Sequence, residues 1–412
     1  MKQDFVYPKY NGESILNIPS TILSLFDIPP LKPTLPEDYY KNIFGLEKIL
    51  FLFVDGLGFN LFQNKCLKYN FFRKLSDKGV VSKITSIFPS TTSAALNTYN
   101  SGLSPLEHGL PEWTVYFKEL DCVLESLPFV PVFPDDLQKT LNPPEDILFG
   151  QETIYQKLNQ KNIPSFAFLY KSYSDSFYNK KAYFGSHIVS YNSITDLMVS
   201  LRKKFLETQG RAYFLLYWSA FDFSSHNFGP ESEEAAAEIS LFSYMFQEEF
   251  INKIDNDTAS NIALFLSADH GQIGVNPKNT IYLEQIEGLV ENFQVDEDGK
   301  LIPPTGGARD IFLHIKEEKL NQTLELLRRE LVDVAEVLET KVAIRDGLFG
   351  SGNIHPKFLD RIGNVLILAH KNNTIWYHFD PKEDFKFFGY HGGLSSDEML
   401  VPFVSVKLSE LK

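Results

Sequence analysis

The sequence predicts an α/β fold in which a doubly wound, mostly parallel sheet carries helices on both faces and a small cap is inserted into this core. The first observation is a series of short, wholly apolar runs with β-branched and aromatic members, which are typical of buried strands. The second is that helical stretches separate these runs, and strands that are apolar on both faces and alternate with helices predict a parallel sheet covered on both sides. The apolar runs span residues 49–54, 165–170, 213–218, 262–267 and 365–369, and the helical stretches span residues 153–161, 195–208 and 233–254.

The composition is that of a globular chain with a large core. The chain has 412 residues, of which 43% are hydrophobic and 14% aromatic, so it can bury a large core without disulfides. The first 45 residues are rich in proline and asparagine and are expected to wrap the fold ahead of the first strand. After that strand, the pattern predicts a helix over 59–75 and a short strand over 80–84.

Two stretches, residues 112–148 and residues 276–355, interrupt the alternation of strands and helices. Residues 276–355 contain a charged helix over 316–331 and strand-like segments such as 342–345. We interpret this stretch as the inserted cap that selects the substrate. The predicted organisation is therefore a core of residues 1–275 and 356–412 that carries the functional site, with a cap of residues 276–355.

Charge and cysteine content exclude several classes of protein. The 39 lysines and arginines against 53 aspartates and glutamates give a net charge of -14, which argues against binding to nucleic acid polymers or anionic membranes. Cys66 and Cys122 are too few for a disulfide framework or a thiolate zinc cluster. The N-terminus lacks the pattern of a signal peptide, and the apolar runs span about six residues where a membrane helix needs roughly 20. We expect a cytoplasmic protein that acts on a small molecule.

Metal-binding residue types stand where the predicted strands end. In an open α/β sheet, ligands bind outside the carboxyl ends of the strands. Each residue alone is compatible with an ordinary turn, a helix cap or a surface pair, but their joint occurrence at strand ends favours a metal site. Aspartate and histidine without cysteine suit zinc and also accept manganese or iron, and six such residues are more than one tetrahedral ion needs. The residues are Asp55, Asp222, His226, Asp269, His270 and His391.

A candidate nucleophile precedes a small-residue helix. Residues 84–98 are typical of a strand, a loop fixed by Pro89 and a helix that starts at a cluster of hydroxyl residues. Amide N–H groups at a helix N-terminus suit a phosphoryl group, and a metal can lower the pKa of a threonine hydroxyl. The alternative is that Ser90, Thr91 and Thr92 only cap the helix.

The order of these motifs resembles the type I phosphodiesterase / nucleotide pyrophosphatase family of the alkaline phosphatase superfamily. The resemblance extends from about Asp55 to His391 and implies an alkaline phosphatase-like sheet, a threonine nucleophile and two zinc ions. The motifs that carry it are Asp55-Gly56, residues 88–92, residues 101–109, the Asp222 and His226 pair, residues 267–271 and His391-Gly392-Gly393.

The resemblance assigns a role to each candidate residue. One ion would be held by Asp55, Thr92, Asp269 and His270, and the other by Asp222, His226 and His391. Thr92 is favoured as the nucleophile because the family places this residue ten positions before the glycine that corresponds to Gly102. His108 belongs to the motif but is expected to be structural.

Departures from the family pattern leave the substrate open. Glu112 and Trp113 stand where nucleotide-cleaving members place a phosphate-binding asparagine, so Trp113 is a candidate substrate-binding residue. Arg309 and Arg361 are candidates for contacts to a phosphate dianion, with Arg309 retained as substrate-binding. The sequence thus predicts a phosphoric ester hydrolase with two divalent ions, Zn²⁺ or Mn²⁺, most simply a phosphodiesterase. A phosphomonoesterase, a phosphonate hydrolase, a phosphomutase or a metal-binding module without turnover are the alternatives.

Overall fold

The computed structural model describes residues 5–133, 141, 143–379 and 384–412. The strands among the described residues are β1 (Lys48–Val54), β2 (Val80–Thr85), β3 (Thr114–Phe117), β4 (Cys122–Glu125), β5 (Val130–Pro131), β6 (Ser165–Tyr170), β7 (His187–Tyr191), β8 (Ala212–Trp218), β9 (Ile262–Ser267), β10 (Ile273–Gly274), β11 (Ile281–Tyr282), β12 (Thr305–Gly306), β13 (Asp310–Leu313), β14 (Ala335–Glu339), β15 (Val365–Ala369), β16 (Ile375–Trp376), β17 (Gly389–Tyr390) and β18 (Leu400–Lys407).

The α-helices in the same part of the chain are mostly short. None of those described is both long and apolar enough to cross a lipid bilayer. They are α1 (Asn17–Leu25), α2 (Phe59–Lys65), α3 (Asn70–Lys78), α4 (Thr92–Ser101), α5 (Pro105–His108), α6 (Ile154–Asn159), α7 (Lys171–Ser174), α8 (Phe177–Ala182), α9 (Ile194–Glu207), α10 (Ala220–Phe228), α11 (Glu233–Met245), α12 (Asn256–Ser260), α13 (Leu320–Glu330), α14 (Thr340–Arg345), α15 (Phe358–Ile362) and α16 (Ser396–Met399).

A seven-stranded sheet forms the centre of the molecule, in the order β2-β18-β9-β1-β8-β6-β7. The pairs from β9 to β7 are parallel, and β18 runs antiparallel to both β2 and β9. Every residue of β1, β8 and β9 is buried, which explains why these strands are continuous apolar runs. The predicted α/β fold with a mostly parallel sheet is confirmed.

Aromatic contacts show that helices cover both faces of this sheet. Tyr99 of α4 packs on Phe51 and Phe53 of β1, with ring centroids 5.2 and 4.7 Å away. On the opposite face, Phe205 of α9 stacks on Phe214 of β8 at 3.8 Å. Because successive side chains of a strand point to opposite faces, the two faces use alternate residues of the same apolar runs.

A second sheet corrects one element prediction. Strand β15 was expected in the main sheet, but it pairs antiparallel with β13 and β14 in a four-stranded sheet of order β12-β13-β15-β14. Its sequence resembles that of a main-sheet strand because β15 is also buried on both faces. Val365 and Ile367 pack in the cluster that contains α13. Leu366 and Leu368 pack in the cluster that contains Phe88 and Leu394.

The remaining cap predictions have mixed outcomes. The charged helix is confirmed as α13, whereas the segment 342–345 lies inside helix α14 and is not a strand. The second sheet continues past residue 355 to Ala369. The division into core and cap stays a prediction.

Candidate metal centre

Three neighbouring strands of the main sheet end at the same edge and place carboxylates there. Asp55 follows β1, Asp269 lies just after β9, and Asp222 sits in the first turn of α10, which follows β8. The Asp55 N–H donates to Trp218 O over 3.0 Å, which continues the ladder between β1 and β8. Gly56 has φ +75°, and a Cβ atom there would lie 2.9 Å from Asp222 Oδ1, so a side chain at this position would crowd Asp222.

A short ribbon brings His391 to this edge from the C-terminal part of the chain. Strand β17, directly before His391, pairs antiparallel with β10, which follows His270 closely. The rings of His391 and His270 stack with centroids 3.6 Å apart. His391 Nε2 lies 3.2 Å from His226 Nε2. Four elements distant in sequence therefore meet at one point.

The first group of ligand atoms surrounds His270 Nε2. Asp269 Oδ2 lies 3.3 Å from it, Asp55 Oδ1 3.7 Å and Thr92 Oγ1 3.2 Å. Asp55 Oδ1 and Asp269 Oδ2 are buried and have no hydrogen-bond partner among the described residues. Buried polar atoms without a partner are costly, so these two oxygens are suited to bind a cation.

The second oxygen of each carboxylate is held by the protein. Asp269 Oδ1 accepts the N–H groups of Gly56, at 3.0 Å, and of His270, at 2.9 Å. Asp55 Oδ2 accepts the hydroxyl of Tyr217 from the neighbouring strand. Fixing one oxygen and leaving the other open orients a carboxylate as a metal ligand. Tyr217 was not identified from the sequence, where it is one aromatic residue of a buried strand.

The second group lies on α10 and the loop of His391. His226 Nε2 is 3.5 Å from Asp222 Oδ2, as expected for residues four apart on one helix. Asp222 Oδ1 accepts the side-chain amide of Gln272, and the same amide lies 3.2 Å from Asp222 O. Gln272 thus holds Asp222 as Tyr217 holds Asp55.

All three histidines present the same nitrogen to the site. The Nδ1 atoms of His226, His270 and His391 lie 2.8, 3.1 and 3.0 Å from the carbonyl oxygens of Gly389, Gly271 and Ser90. Each Nδ1 must carry the proton to bond a carbonyl, so each Nε2 has its lone pair free. This arrangement is typical of metal-bound imidazoles.

Electrostatics also favour a cation at this position. Burial, followed by the charges of Asp269 and Asp222, holds the pKa of Asp55 well above its ordinary value. Burial, followed by His270 and His226, holds the pKa of His391 well below its ordinary value. A divalent ion among these groups would stabilise the carboxylates as anions and the imidazoles as neutral ligands.

The donor set therefore fits a metal. Single ligand atoms of Asp55, Asp269 and His270 lie within 4.8 Å of one another, as do those of Asp222, His270 and His391. His270 is common to both groups, so they adjoin. The structure brings all seven residues predicted from the sequence together at one edge of the sheet.

The hydroxyl cluster before α4 does not act as a set of helix caps. Thr91 occupies the N-cap position without a side-chain cap bond, and its hydroxyl has no partner among the described residues. Ser90 Oγ donates to Gly393 O over 2.8 Å instead. Thr92 is the first residue of the helix and its hydroxyl is directed at His270.

The predicted arginines lie elsewhere. Arg309 is fully buried, donates to Glu398 through Nε at 3.0 Å and Nη2 at 2.9 Å, and gives Nη1 to Asn373 O. Arg361 is buried too and gives Nη1 and Nη2 to the carbonyls of Gly109 and Ile147, both at 2.6 Å. The structure does not bring either guanidinium to the metal centre, because Arg309 is bonded to Glu398 and Asn373 O, and Arg361 is bonded to two backbone carbonyls.

Trp113 and His108 differ in their exposure to solvent. Trp113 keeps 39% of its surface exposed and precedes β3. His108 is buried, with Nε2 3.2 Å from Thr98 Oγ1 and Nδ1 accepting the Leu110 N–H over 3.2 Å. Burial lowers the pKa of His108 to about 3, which agrees with a neutral structural role.

A second buried carboxylate pair lies beside the loop of His391. Glu112 and Asp310 are in contact and are 3% and 0% exposed. A side chain at Gly392, where φ is +118°, would clash with Asp310. Sequence reasoning did not identify the pair, because nothing local to either residue indicates its partner.

Comparisons with known proteins indicate a family for this chain and solved structures of similar fold. The sequence model of the type I phosphodiesterase / nucleotide pyrophosphatase family matches residues 49–394. A structure of murine ectonucleotide pyrophosphatase / phosphodiesterase 5, an inactive variant in complex with AMP, is similar with a TM-score of 0.64 and 16% identity over 87% of this chain and 88% of that one. The human protein of the same name has a TM-score of 0.64 and 18% identity over 87% of each chain. No curated protein matches this chain significantly in sequence.

Proposed function

This chain belongs to the type I phosphodiesterase / nucleotide pyrophosphatase family of the alkaline phosphatase superfamily, and on that premise we propose that it hydrolyses small phosphodiesters with Thr92 as the nucleophile and two zinc ions. Asp55, Thr92, Asp269 and His270 would hold one ion, and Asp222, His226 and His391 the other. When bound, the ions would supply Lewis-acid stabilisation of the attacking and leaving oxygens. The free carboxylate oxygens and imidazole Nε2 atoms described above support this assignment.

The position of Thr92 carries the proposal. Its hydroxyl lies 3.2 Å from His270 Nε2 at the first position of a ten-residue helix. The amide N–H groups of the first turn of α4 have no partner within the helix and favour the anionic oxygens of a phosphoryl group. These features support Thr92 as a nucleophile next to an anion-binding helix terminus.

The chemistry that follows is a double displacement at phosphorus. The Thr92 oxygen forms a bond to phosphorus while the bond to one ester oxygen breaks, and the hydroxyl proton leaves with the departing alcohol. A water molecule then attacks the phosphothreonine, which releases a phosphate monoester and restores the Thr92 hydroxyl. Holding the reacting groups in line supplies a large part of the rate enhancement.

Local charge supports a diester in preference to a monoester. A monoester dianion would need positive charge beyond the two ions, and Arg309 and Arg361 are both buried and bonded to internal acceptors away from the metal centre. The pair formed by Glu112 and Asp310 lies beside Gly392 and adds no positive charge to this side of the site. A comparison of kcat/KM for the mono- and diester of one alcohol tests this preference.

Substrate selection is proposed to involve Trp113 and residues 276–355. Trp113 lies directly after Glu112, and its carbonyl accepts the Ser126 N–H over 2.6 Å. The hydroxyl of Ser126 in turn donates to Ser93, next to Thr92, over 3.2 Å. This connection supports a place for the half-exposed indole at the edge of the pocket, where it would contact an apolar or aromatic ester group.

Replacement of Thr92 tests the nucleophile. Thr92→Ala is expected to lower kcat for bis-p-nitrophenyl phosphate by about 10³-fold or more, because removal of a nucleophile disables the whole double displacement. Metal content, measured by elemental analysis, should stay near that of the wild type.

Thr91→Val is the matched control. It removes a neighbouring hydroxyl that has no partner among the described residues, so kcat should change less than about twofold. An active Thr92→Ala variant, or loss of activity in Thr91→Val alone, would show that the nucleophile is wrongly assigned.

A further inference from the structure

Two segments far apart in the chain meet through one buried serine. Ser90 lies two residues before Thr92, and the residues it contacts belong to the loop that starts at His391. Its N–H donates to Gly392 O over 3.3 Å, and its carbonyl oxygen lies 3.0 Å from His391 Nδ1. Its hydroxyl donates to Gly393 O over 2.8 Å and accepts the Gly392 N–H over 3.2 Å. Every polar group of Ser90 is therefore used on this loop.

These bonds act on a metal ligand and on the nucleophile at once. The carbonyl of Ser90 fixes the proton of His391 on Nδ1, which leaves Nε2 free towards His226. The same backbone leads two residues later to the Thr92 hydroxyl. A displacement of Ser90 would therefore change the ring of His391 and the start of α4 together.

The hydroxyl of Ser90 adds two hydrogen bonds to those that its backbone makes. Ser90 and Gly392 already form an isolated bridge through their main chains. A single bridge leaves rotation about its axis possible, whereas the two hydroxyl bonds reach both Gly392 and Gly393 and fix the orientation of the loop. Since Ser90 is fully buried, water cannot replace these bonds cheaply.

The loop is also held from its other side. Glu398 Oε1 accepts the Gly393 N–H over 2.9 Å, and Arg309 holds the carboxylate of Glu398 through two bonds. This contact gives Arg309 a supporting role behind the loop. Ser90 is the member of this arrangement that joins the loop to the nucleophile.

We propose that Ser90 is a positioning residue whose hydroxyl locks the His391 loop to the start of α4 and so sets the position of His391 relative to Thr92. The proposal rests on the proposed function for its catalytic consequence, but its effect on metal binding is independent of turnover.

The test compares Ser90→Ala with Ser165→Ala in the full-length protein. Ser165 is also fully buried, but its hydroxyl has no partner among the described residues. Zinc affinity is measured by competition with a chromophoric chelator, and kcat and KM are measured with bis-p-nitrophenyl phosphate. We expect Ser90→Ala to weaken the lower-affinity zinc site by about 10–100-fold, the usual effect of removing a group that orients a ligand. We also expect a similar fall in kcat with KM changed less than about threefold, and wild-type values for Ser165→Ala.

The outcomes separate the two proposals. If the wild type binds two zinc ions but cleaves no ester, the proposed function fails while the zinc affinities still test Ser90. If a folded Ser90→Ala variant keeps wild-type zinc affinity and kcat, the role of Ser90 is refuted. Ser90→Cys keeps the volume and weakens both hydroxyl bonds, so it gives the same readouts if the alanine variant does not fold, and wild-type affinity in that variant would also refute the proposal.

Discussion

Two buried carboxylate pairs lie near the His391 loop and differ in what surrounds them. In the pair of Asp55 and Asp269, each carboxylate leaves one oxygen without a partner among the described residues, and His270 Nε2 faces both oxygens within 3.7 Å. In the pair of Glu112 and Asp310, the Asp310 oxygens have no described partner apart from Glu112, and Glu112 accepts the N–H of Trp113.

The difference shows two ways to neutralise buried negative charge, by a metal ion or by a proton. An isolated buried carboxylate is too costly to persist, so it must meet a cation or take up a proton. Free imidazole nitrogens beside the first pair complete a ligand set for a metal. No histidine contact to the second pair is found among the described residues, and the nearby Arg309 is already paired with Glu398. Burial raises the pKa of Glu112 to about 8 and holds that of Asp310 well above its ordinary value, so the second pair is suited to share a proton.

Parallel amide substitutions in the two pairs should give the largest contrast. Asp269→Asn is expected to lose metal and to lower kcat/KM by about 10³-fold, since a Lewis-acidic ion contributes several kcal/mol and each 1.36 kcal/mol is a factor of ten. Asp310→Asn should keep the full metal content. Elemental analysis of both dialysed variants checks the expectation. Loss of one metal equivalent in Asp310→Asn would break the comparison, because it would mean that the second pair also binds a cation.

The proton shared by the second pair predicts a pH dependence of stability. The folded state keeps a proton on Glu112 up to about pH 8, whereas the unfolded chain releases it near the ordinary value of 4.5. Unfolding therefore releases a proton between these values, and the free energy of unfolding falls as the pH rises through this window. Glu112→Gln removes this titration. The free energy of unfolding of the variant should therefore fall less steeply with pH than that of the wild type, by up to ~1.4 kcal/mol per pH unit.

Urea unfolding of both proteins at several values between pH 5 and pH 8 measures these slopes. The substitution also removes the effect of Glu112 on the pKa of Asp310, so the difference between the slopes reports the titration of the pair. Parallel slopes would contradict a shared proton and would leave the two pairs distinguished by geometry alone.

The smallest expected effect concerns the indole next to the second pair. Trp113→Ala should raise KM for an aryl diester about two- to tenfold, because an aromatic contact is worth ~0.5–1.5 kcal/mol, and should leave kcat nearly unchanged. Trp113→Phe is the control that retains an aromatic ring. Steady-state kinetics on aryl and methyl diesters measure this effect. An equal rise in KM for both substrates in Trp113→Ala would show that the indole does not contact the aryl group.

Local pattern was sufficient for most of the main sheet but not for the second one. β1, β8 and β9 were recognisable because each is apolar along almost its whole length and is flanked by helical or polar segments. β15 has the same pattern because it too is covered on both faces. Periodicity reports how many faces of a strand are buried and cannot report which sheet buries them.

The candidate site divides in the same way. Asp55, Asp222 and Asp269 were found because polar residues that end parallel apolar strands meet at one edge whatever the details of packing. Tyr217 and Gln272, which orient these carboxylates, were not found, because a tyrosine in a buried strand has the same pattern whether or not its hydroxyl has a partner.

The sequence by itself determined the fold class, the types of ligand and the hydroxyl cluster, since these depend on short-range pattern and on the geometry common to all parallel sheets. Only the tertiary structure decided that Ser90 bonds to the loop of His391, that Arg309 pairs with Glu398, and that Glu112 contacts Asp310. Each of these contacts joins segments far apart in the chain. Their partners are set by the packing of the whole core, which no local pattern records.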